Sequence, residues 1–289
     1  MGQPLIIEVA LNGGMRKTRN AQVPRTPAEI AEDALGCIAA GAAIVHSHTD
    51  DPVLSGSGVH DPAPYIEAWR PVIRAHPAAI LYPTMPGGLE TIPVEQRYAH
   101  VPALARAGVL GMGLVDPGTT NFGRLDANGV PRSEVRIYRN SYADAVYMLE
   151  TCRSLGVGIS FSIFEPGFLL FVLGYQRAGK LPPGSFVKLY FSGPGVLFGF
   201  PPSRVALAAY LDMLSGTGLP WLVSVQGGDV FADGFAEHAV QLGGHLQVGL
   251  EPSGDAHASN VELVRRAVTL ARAMDRPVAT CERARELLF

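Results

Sequence analysis

Eight short apolar, β-branched runs recur along the chain with helix-like stretches between them, and this alternation limits the fold more than any other feature. The runs are PLIIEVAL (4–11), AAIVHSH (42–48), AAILYPT (78–84), LGMGLV (110–115), GVGISFSIF (156–164), FVKLYFS (186–192), WLVSVQ (221–226) and LQVGLE (246–251). Between two of them, TPAEIAEDALGCIAAG (26–41) carries the marks of a helix: Thr26 as N-cap, Pro27 at the first helical position, Glu29 completing a capping box and Gly41 as stop. SYADAVYMLETCRSLG, PPSRVALAAYLDMLSG, FADGFAEHAVQLGG and SNVELVRRAVTLARAMDRP read the same way. Strands that alternate with helices build parallel sheets, and eight of them fit one (β/α)8 TIM barrel spanning residues 1–289. The rival is a doubly wound sheet. It favours a glycine-rich phosphate loop after the first strand, and ALNGGMRKTRN offers Gly13 and Gly14 without a GxGxxG or Walker pattern.

Composition removes other classes. The 289 residues are 47% hydrophobic, enough for a large core, and the net charge of −3 argues against a nucleic-acid or membrane-surface partner. No apolar stretch has membrane-spanning length. The N-terminal MGQPLIIEVALNGG lacks the cationic start of a signal peptide, and Ile6 stands where myristoylation wants Ser or Thr. Cys37, Cys152 and Cys281 are odd in number and far apart, so buried, reduced thiols in a cytoplasmic protein are expected.

In a barrel the site lies at the C-terminal ends of the strands, where residues two apart face the same way. His46 and His48 close the second run and point together. The pair suits metal binding, polar filling of the barrel mouth, or a hydrogen bond to substrate. Glu251, at the end of the eighth run and in phase with Gln247 and Gly249, offers a third ligand, since only the first strand separates strands two and eight. It also reads as a loop or helix-terminal carboxylate. The same phase rule selects Asn12, Tyr82, Thr84, Asp116, Ser160, Ser162, Tyr190 or Ser192, and Gln226. Asp116 is either a general base or a tie for the PGTTNFG loop that follows it. Glu165 reads as a helix cap, and Asp50 and Asp51 as solvated loop residues. His245 reads as structural, and His60, His76, His100, His238 and His257 as surface or capping residues.

The stretches PLIIEVALNGG, TPAEIAEDALGCIAAGAAIVHSH, GTTNFG, GGHLQVGLE and SNVELVRRAVTLARAMDRPVATCERAREL together resemble the β-keto acid cleavage enzymes, in order and over nearly the whole chain. The resemblance implies a (β/α)8 barrel, a homo-oligomer (dimer or tetramer), and a divalent metal, normally zinc, on His46, His48 and Glu251. It implies condensation of a β-keto acid with the co-substrate acetyl-CoA, giving acetoacetyl-CoA or another acyl-CoA and a shortened product. Members usually carry Arg where this chain has Asp50, and Arg and Asp where it has Gln247 and Pro252. Acidic residues near the first and fifth strands are replaced by Met15 and Ser162, and a strand-three serine by Thr84.

The expected site is therefore His46, His48 and Glu251 for metal, Asp116 and Thr84 for catalysis, and Asn12, Tyr82, Ser162, Gln226 and Gln247 around a small-molecule β-keto acid and acyl-CoA. Three functions fit: a zinc acyltransferase of the cleavage type, another zinc-dependent barrel lyase or hydrolase, or a non-catalytic metal-binding barrel. With Met15 and Ser162 in place of carboxylates, a neutral, apolar or anionic side group is expected on the substrate.

Overall fold

The alternation seen in the sequence becomes eight parallel strands in a computed structural model that describes residues 3–54, 56–87, 91–133 and 136–289. The strands are β1 (Ile7–Ala10), β2 (Ile44–Ser47), β3 (Ile80–Pro83), β4 (Gly113–Val115), β5 (Ile159–Ile163), β6 (Phe186–Ser192), β7 (Trp221–Gln226) and β8 (His245–Val248). Their order in the sheet is β3-β2-β1-β8-β7-β6-β5-β4. Gly111 N donates to Leu81 O at 2.8 Å, which brings the β4 and β3 ends of the sheet together into a nearly closed barrel. β1 pairs with β8 on one side and β2 on the other, so Ala10 lies beside His46 and Glu8 beside Gln247.

Helices cover the outside. α1 (Pro27–Ala40) begins at the expected capping box, with Thr26 Oγ1 accepting from Glu29 N and Glu29 Oε2 accepting from Thr26 N, and ends at Gly41. It buries Ile30, Ala34, Cys37 and Ile38, the i, i+4, i+7 stripe of a helix lying on a sheet. Between β2 and β3 runs α2 (Ala63–Ala75), which the proline-rich DPAPYIEAWRP hides from pattern reading. The short α3 (Val94–Arg97) and α4 (His100–Arg106) follow β3. α5 (Tyr142–Leu155), α6 (Pro166–Arg177), α7 (Arg204–Leu214) and α8 (Phe235–Gln241) complete the βα units up to β8. The chain then makes a short α9 (Leu250–Ser253) before α10 (Asn260–Ala273) and α11 (Cys281–Leu288). No helix among the described residues is long and apolar enough to cross a membrane. Cys37, Cys152 and Cys281 are buried and unpaired.

After β4 the chain leaves the barrel in an arm. Thr120–Asn121 pairs with Ile137–Tyr138, and Gly123–Arg124 pairs with Val196–Leu197 from the segment after β6. These two-residue ladders have no legible period.

The end of β8 differs from expectation. Glu251 lies beyond the strand, on α9, because Gly249 turns the chain at φ 129°. A Cβ at Gly249 would stand 2.1 Å from Ala10 O, so only glycine fits there. Asn260 latches the turn: its Oδ1 accepts from Leu250 N at 2.8 Å, and its Nδ2 donates to Leu11 O at 2.8 Å and to Asp33 Oδ2 at 2.5 Å.

Asp33 carries a pH-dependent cost. Burial pushes its carboxyl up from 3.8 to about 6, against the lowering effect of the Asn260 and Cys37 hydrogen bonds. A raised folded pKa gives stability that is present below the unfolded value and lost as pH rises through 6. Asp33→Asn is therefore expected to stabilise the chain by about 2–3 kcal/mol above pH 7, with the gain gone at pH 4. Urea melts of both proteins at pH 4, 5.5 and 7.5 check this; a difference that does not grow with pH contradicts it.

Candidate metal centre and active site

The strand pairing delivers two imidazoles and a carboxylate to one point. His46 Nε2 lies 3.2 Å from His48 Nε2, and His48 Nε2 lies 3.1 Å from Glu251 Oε1. The third edge, His46 Nε2 to Glu251 Oε2, is 3.5 Å. Both histidines are buried and Glu251 is nearly so, and among the described residues this is the group that could hold a metal ion. The two imidazole nitrogens and the carboxylate, which faces His48 through Oε1 and His46 through Oε2, are close enough to share one metal ion. Glu251 Oε2 is buried with no hydrogen-bond partner, a vacancy in its bonding that a cation would satisfy.

The protonation pattern agrees. Burial lowers the His48 pKa, which favours the neutral, ligating imidazole. Burial works to raise the Glu251 carboxyl, but the facing His48 and His46 rings outweigh it and hold it well below its usual value. His46 Nδ1 faces Tyr82 O at 3.3 Å, so a proton there leaves Nε2 free for the centre. The Tyr82 ring stacks on His46 with centroids 4.6 Å apart.

Asn12 sits under this group, not at its opening. Its Oδ1 accepts from His48 N at 2.8 Å and its Nδ2 donates to His48 O and Pro24 O at 3.0 Å each, fixing the backbone of the second histidine. Gly13, at φ 49°, leaves room for Glu251: a Cβ there would lie 2.6 Å from Glu251 Cγ. Gln226 Nε2 donates to Glu251 O at 3.2 Å from the end of β7. Arg25 pairs with the exposed Asp50 and also donates to Gly13 O and Met15 O, which puts a cation on the rim.

Across the barrel, Asp116 is buried just past β4. Tyr138, on the arm, donates to its Oδ2 at 2.5 Å, while Oδ1 is without a partner. Burial raises this carboxyl against the lowering pull of the Tyr138 and Ser162 hydroxyls. Its backbone carbonyl does the loop bracing, accepting from Gly118 N at 2.9 Å and Asn140 Nδ2 at 3.1 Å. Thr84 follows β3, and its carbonyl accepts from His100 Nε2 at 2.8 Å. Tyr82 and Gln247 meet in the barrel interior on Glu8, a buried residue that the sequence reading passed over. Tyr138 was missed too, because nothing in the irregular arm predicts its contact.

Three expectations need correction. His60 and His100 are 2% and 1% exposed, not surface residues; their rings stand 5.5 Å apart, and burial lowers them to about 3 and about 4. Glu165 occupies the N-cap position of α6 without capping it; its Oε1 instead accepts from Thr120 Oγ1 at 2.7 Å and Gly199 N at 3.1 Å. Glu251 reaches the centre from α9, not from the strand. His245, as expected, is structural: its Nδ1 accepts from Ile6 N at 3.0 Å.

A cleft of about 810 Å³ opens between the loops after β4, β5 and β6, lined by Thr120, Glu165, Ser192, Gly193, Leu197 and Phe198 among others. Gly193 N donates to Gln226 O at 2.9 Å, so its wall is one residue removed from the Gln226–Glu251 contact.

Comparison with known proteins agrees with this architecture. The chain is 28% identical to the 3,5-dioxohexanoate:acetyl-CoA acetone transferase of Paraburkholderia graminis over 98% of its own length and 95% of that protein's. It is 27% identical to the 3-keto-5-aminohexanoate cleavage enzyme of Fusobacterium nucleatum, over 100% and 98%. Among solved structures, a ternary complex of ObcA with a C4-CoA adduct and oxalate shares the fold at TM-score 0.72 and 17% identity, over 92% of this chain and 67% of that one. Residues 4–289 match the family described as beta-keto acid cleavage enzyme, and the chain belongs to that family.

Proposed function

We propose that the chain is a zinc-dependent acyltransferase that cleaves a β-keto acid with acetyl-CoA, using His46, His48 and Glu251 as ligands. The observation that carries this reading is the convergence of two imidazoles and one buried carboxylate, whose Oε2 makes no hydrogen bond, at the C-terminal mouth of a barrel of this family. A divalent ion bound there would polarise the ketone and carboxylate oxygens of the keto acid.

The chain's own residues supply the rest. Asp116, with Oδ1 open and Oδ2 held by Tyr138, takes a proton from the acetyl methyl group as that carbon bonds to the ketone carbon, and returns it to the departing carbon when the older carbon–carbon bond breaks. Ser162 orients that carboxylate, and Thr84, just past the end of β3, meets a substrate oxygen. Asn12, Gln226, Tyr82 and Gln247 keep the ligands and barrel wall in place through hydrogen bonds of Asn12 Nδ2, Gln226 Nε2, Tyr82 Oη and Gln247 Nε2 to protein partners. The cleft between the loops after β4 to β6 admits the acyl-CoA. Three buried, unpaired cysteines suit a reducing, cytoplasmic setting.

Metal content gives the first check. Purified protein is expected to hold one divalent ion per chain by elemental analysis, or to take one up on zinc addition; His46→Ala abolishes this and His76→Ala does not. Absence of any stoichiometric metal in wild type overturns the reading.

Asp116→Asn keeps the backbone carbonyl that braces the loop and removes the base. Turnover is expected to fall roughly a hundredfold or more, with metal content and melting unchanged. Undiminished turnover removes Asp116 from the mechanism.

Selectivity follows from the side chains at the mouth and inside the barrel. With Met15 and Ser162 where carboxylates would attract a cation, and Arg25 nearby, 3,5-dioxohexanoate should be turned over faster than 3-keto-5-aminohexanoate in a direct kcat/KM comparison. The reverse order contradicts the assignment.

A further inference from the structure

The barrel interior below the metal centre contains a charge that the chemistry above does not use. Lys188, on β6, is 1% exposed and faces inward. Of the two buried lysine and arginine residues among the described ones, Arg97 lies outside the sheet on α3, and Lys188 lies within it. The Lys188 ammonium donates to Glu8 Oε1 at 3.1 Å and to Tyr82 Oη at 2.5 Å. Tyr82 Oη donates in turn to the same Glu8 oxygen at 2.5 Å, and Gln247 Nε2 donates to it at 2.6 Å. Four strands, β1, β3, β6 and β8, thus meet on one oxygen. The ammonium also lies 5.0 Å from the centroid of the Tyr82 ring and 5.4 Å from that of Tyr190.

Stability alone gives no reason for this arrangement. Taking two charges out of water costs several kcal/mol per ion, and apolar replacements of a buried pair are often neutral or stabilising. Glu8 Oε2 is even left without a partner, so the pair is not optimised as a staple. What the network does hold is Tyr82. Of its four members, Tyr82 is the one shown against the metal group: its ring stacks on His46 and its carbonyl faces His46 Nδ1 at 3.3 Å. Hydrogen-bonding partners of a metal-bound histidine set the ring orientation and tune its donor strength.

We propose that Lys188 is a positioning residue for the metal centre: clamped between Glu8 and Tyr82, its ammonium holds the Tyr82 ring against His46 so that His46 Nε2 is presented to the ion. The assignment rests on the metal reading of His46, His48 and Glu251. It differs from that reading in what fails when it is wrong.

The test strips the protein with a chelator and measures zinc affinity by competition, together with the visible spectrum of the cobalt-substituted protein. The variants are Lys188→Met, Tyr82→Phe, the two combined, and Glu8→Gln/Lys188→Met. Each single change is expected to weaken zinc binding about 10–100-fold and to alter the cobalt spectrum. The Lys188→Met/Tyr82→Phe double should be no worse than the weaker-binding single, since both act along one path. Glu8→Gln/Lys188→Met leaves no unpaired charge, so it provides the folded test if Lys188→Met alone does not fold, and it too should lose zinc affinity. Wild-type affinity and spectrum in that folded variant overturn the proposal. Strictly additive losses in the Lys188→Met/Tyr82→Phe pair also overturn it, because Lys188 then does not act through Tyr82. If wild type binds no divalent ion, the metal reading falls and this inference falls with it; if wild type binds and the variants bind equally well, only the inference falls.

Discussion

The site depends on one adjacency: β1 lies between β2 and β8. Parallel pairing on both sides of β1 sets Ala10 beside His46 and Val9 beside Val248, so residues 203 positions apart in the chain can meet over the end of a single strand. His46 and His48 need only the two-residue period of a strand to point together. Glu251 needs more. Gly249 must turn, Gly13 must yield space, and Asn260 must tie Leu250 to the end of β1. Remove the pairing and no local feature would bring the carboxylate to the imidazoles.

A second dependence runs through the interior. A barrel of this kind is usually filled with branched apolar side chains, whereas here Glu8, Ser160, Lys188, Ser224 and Gln247 are buried in the strands. Lys188 and Gln247 converge with Tyr82 on Glu8 Oε1, while Ser160 Oγ and Ser224 Oγ make no hydrogen bond. In this chain position 247 is a neutral glutamine and the ammonium comes from β6, yet both side chains touch the same carboxylate oxygen.

How much of this was readable follows from the range of the interactions involved. The eight strands, α1, α5, α7 and α10 have strong period and capping signals, and each appears close to where the pattern puts it. α2 and α6 were hidden by prolines and by an apolar run without contrast between faces. His46 and His48 follow directly from strand phase, as does the position of Asp116 just past β4. Glu251 was found for a reason that does not hold in detail, since the strand stops at Val248 and a glycine turn supplies the reach. Tyr138, Asn260, Glu8 and Lys188 were invisible because their partners are 10 to 249 residues away, and nothing in their own neighbourhoods marks them. Burial of His60 and His100 was likewise set by packing between distant elements.

The arm that carries Tyr138 divides labour in an unusual way. Asp116 belongs to the barrel, but the hydroxyl that holds its Oδ2 belongs to a loop excursion stitched to Val196–Leu197 of another loop. The same excursion and the same partner loop wall the cleft. A lineage that lengthens, shortens or exchanges this arm to accommodate a different ligand therefore retunes its buried carboxylate in the same event, without altering a barrel strand. Shape selection and acidity are in this sense inherited as one unit.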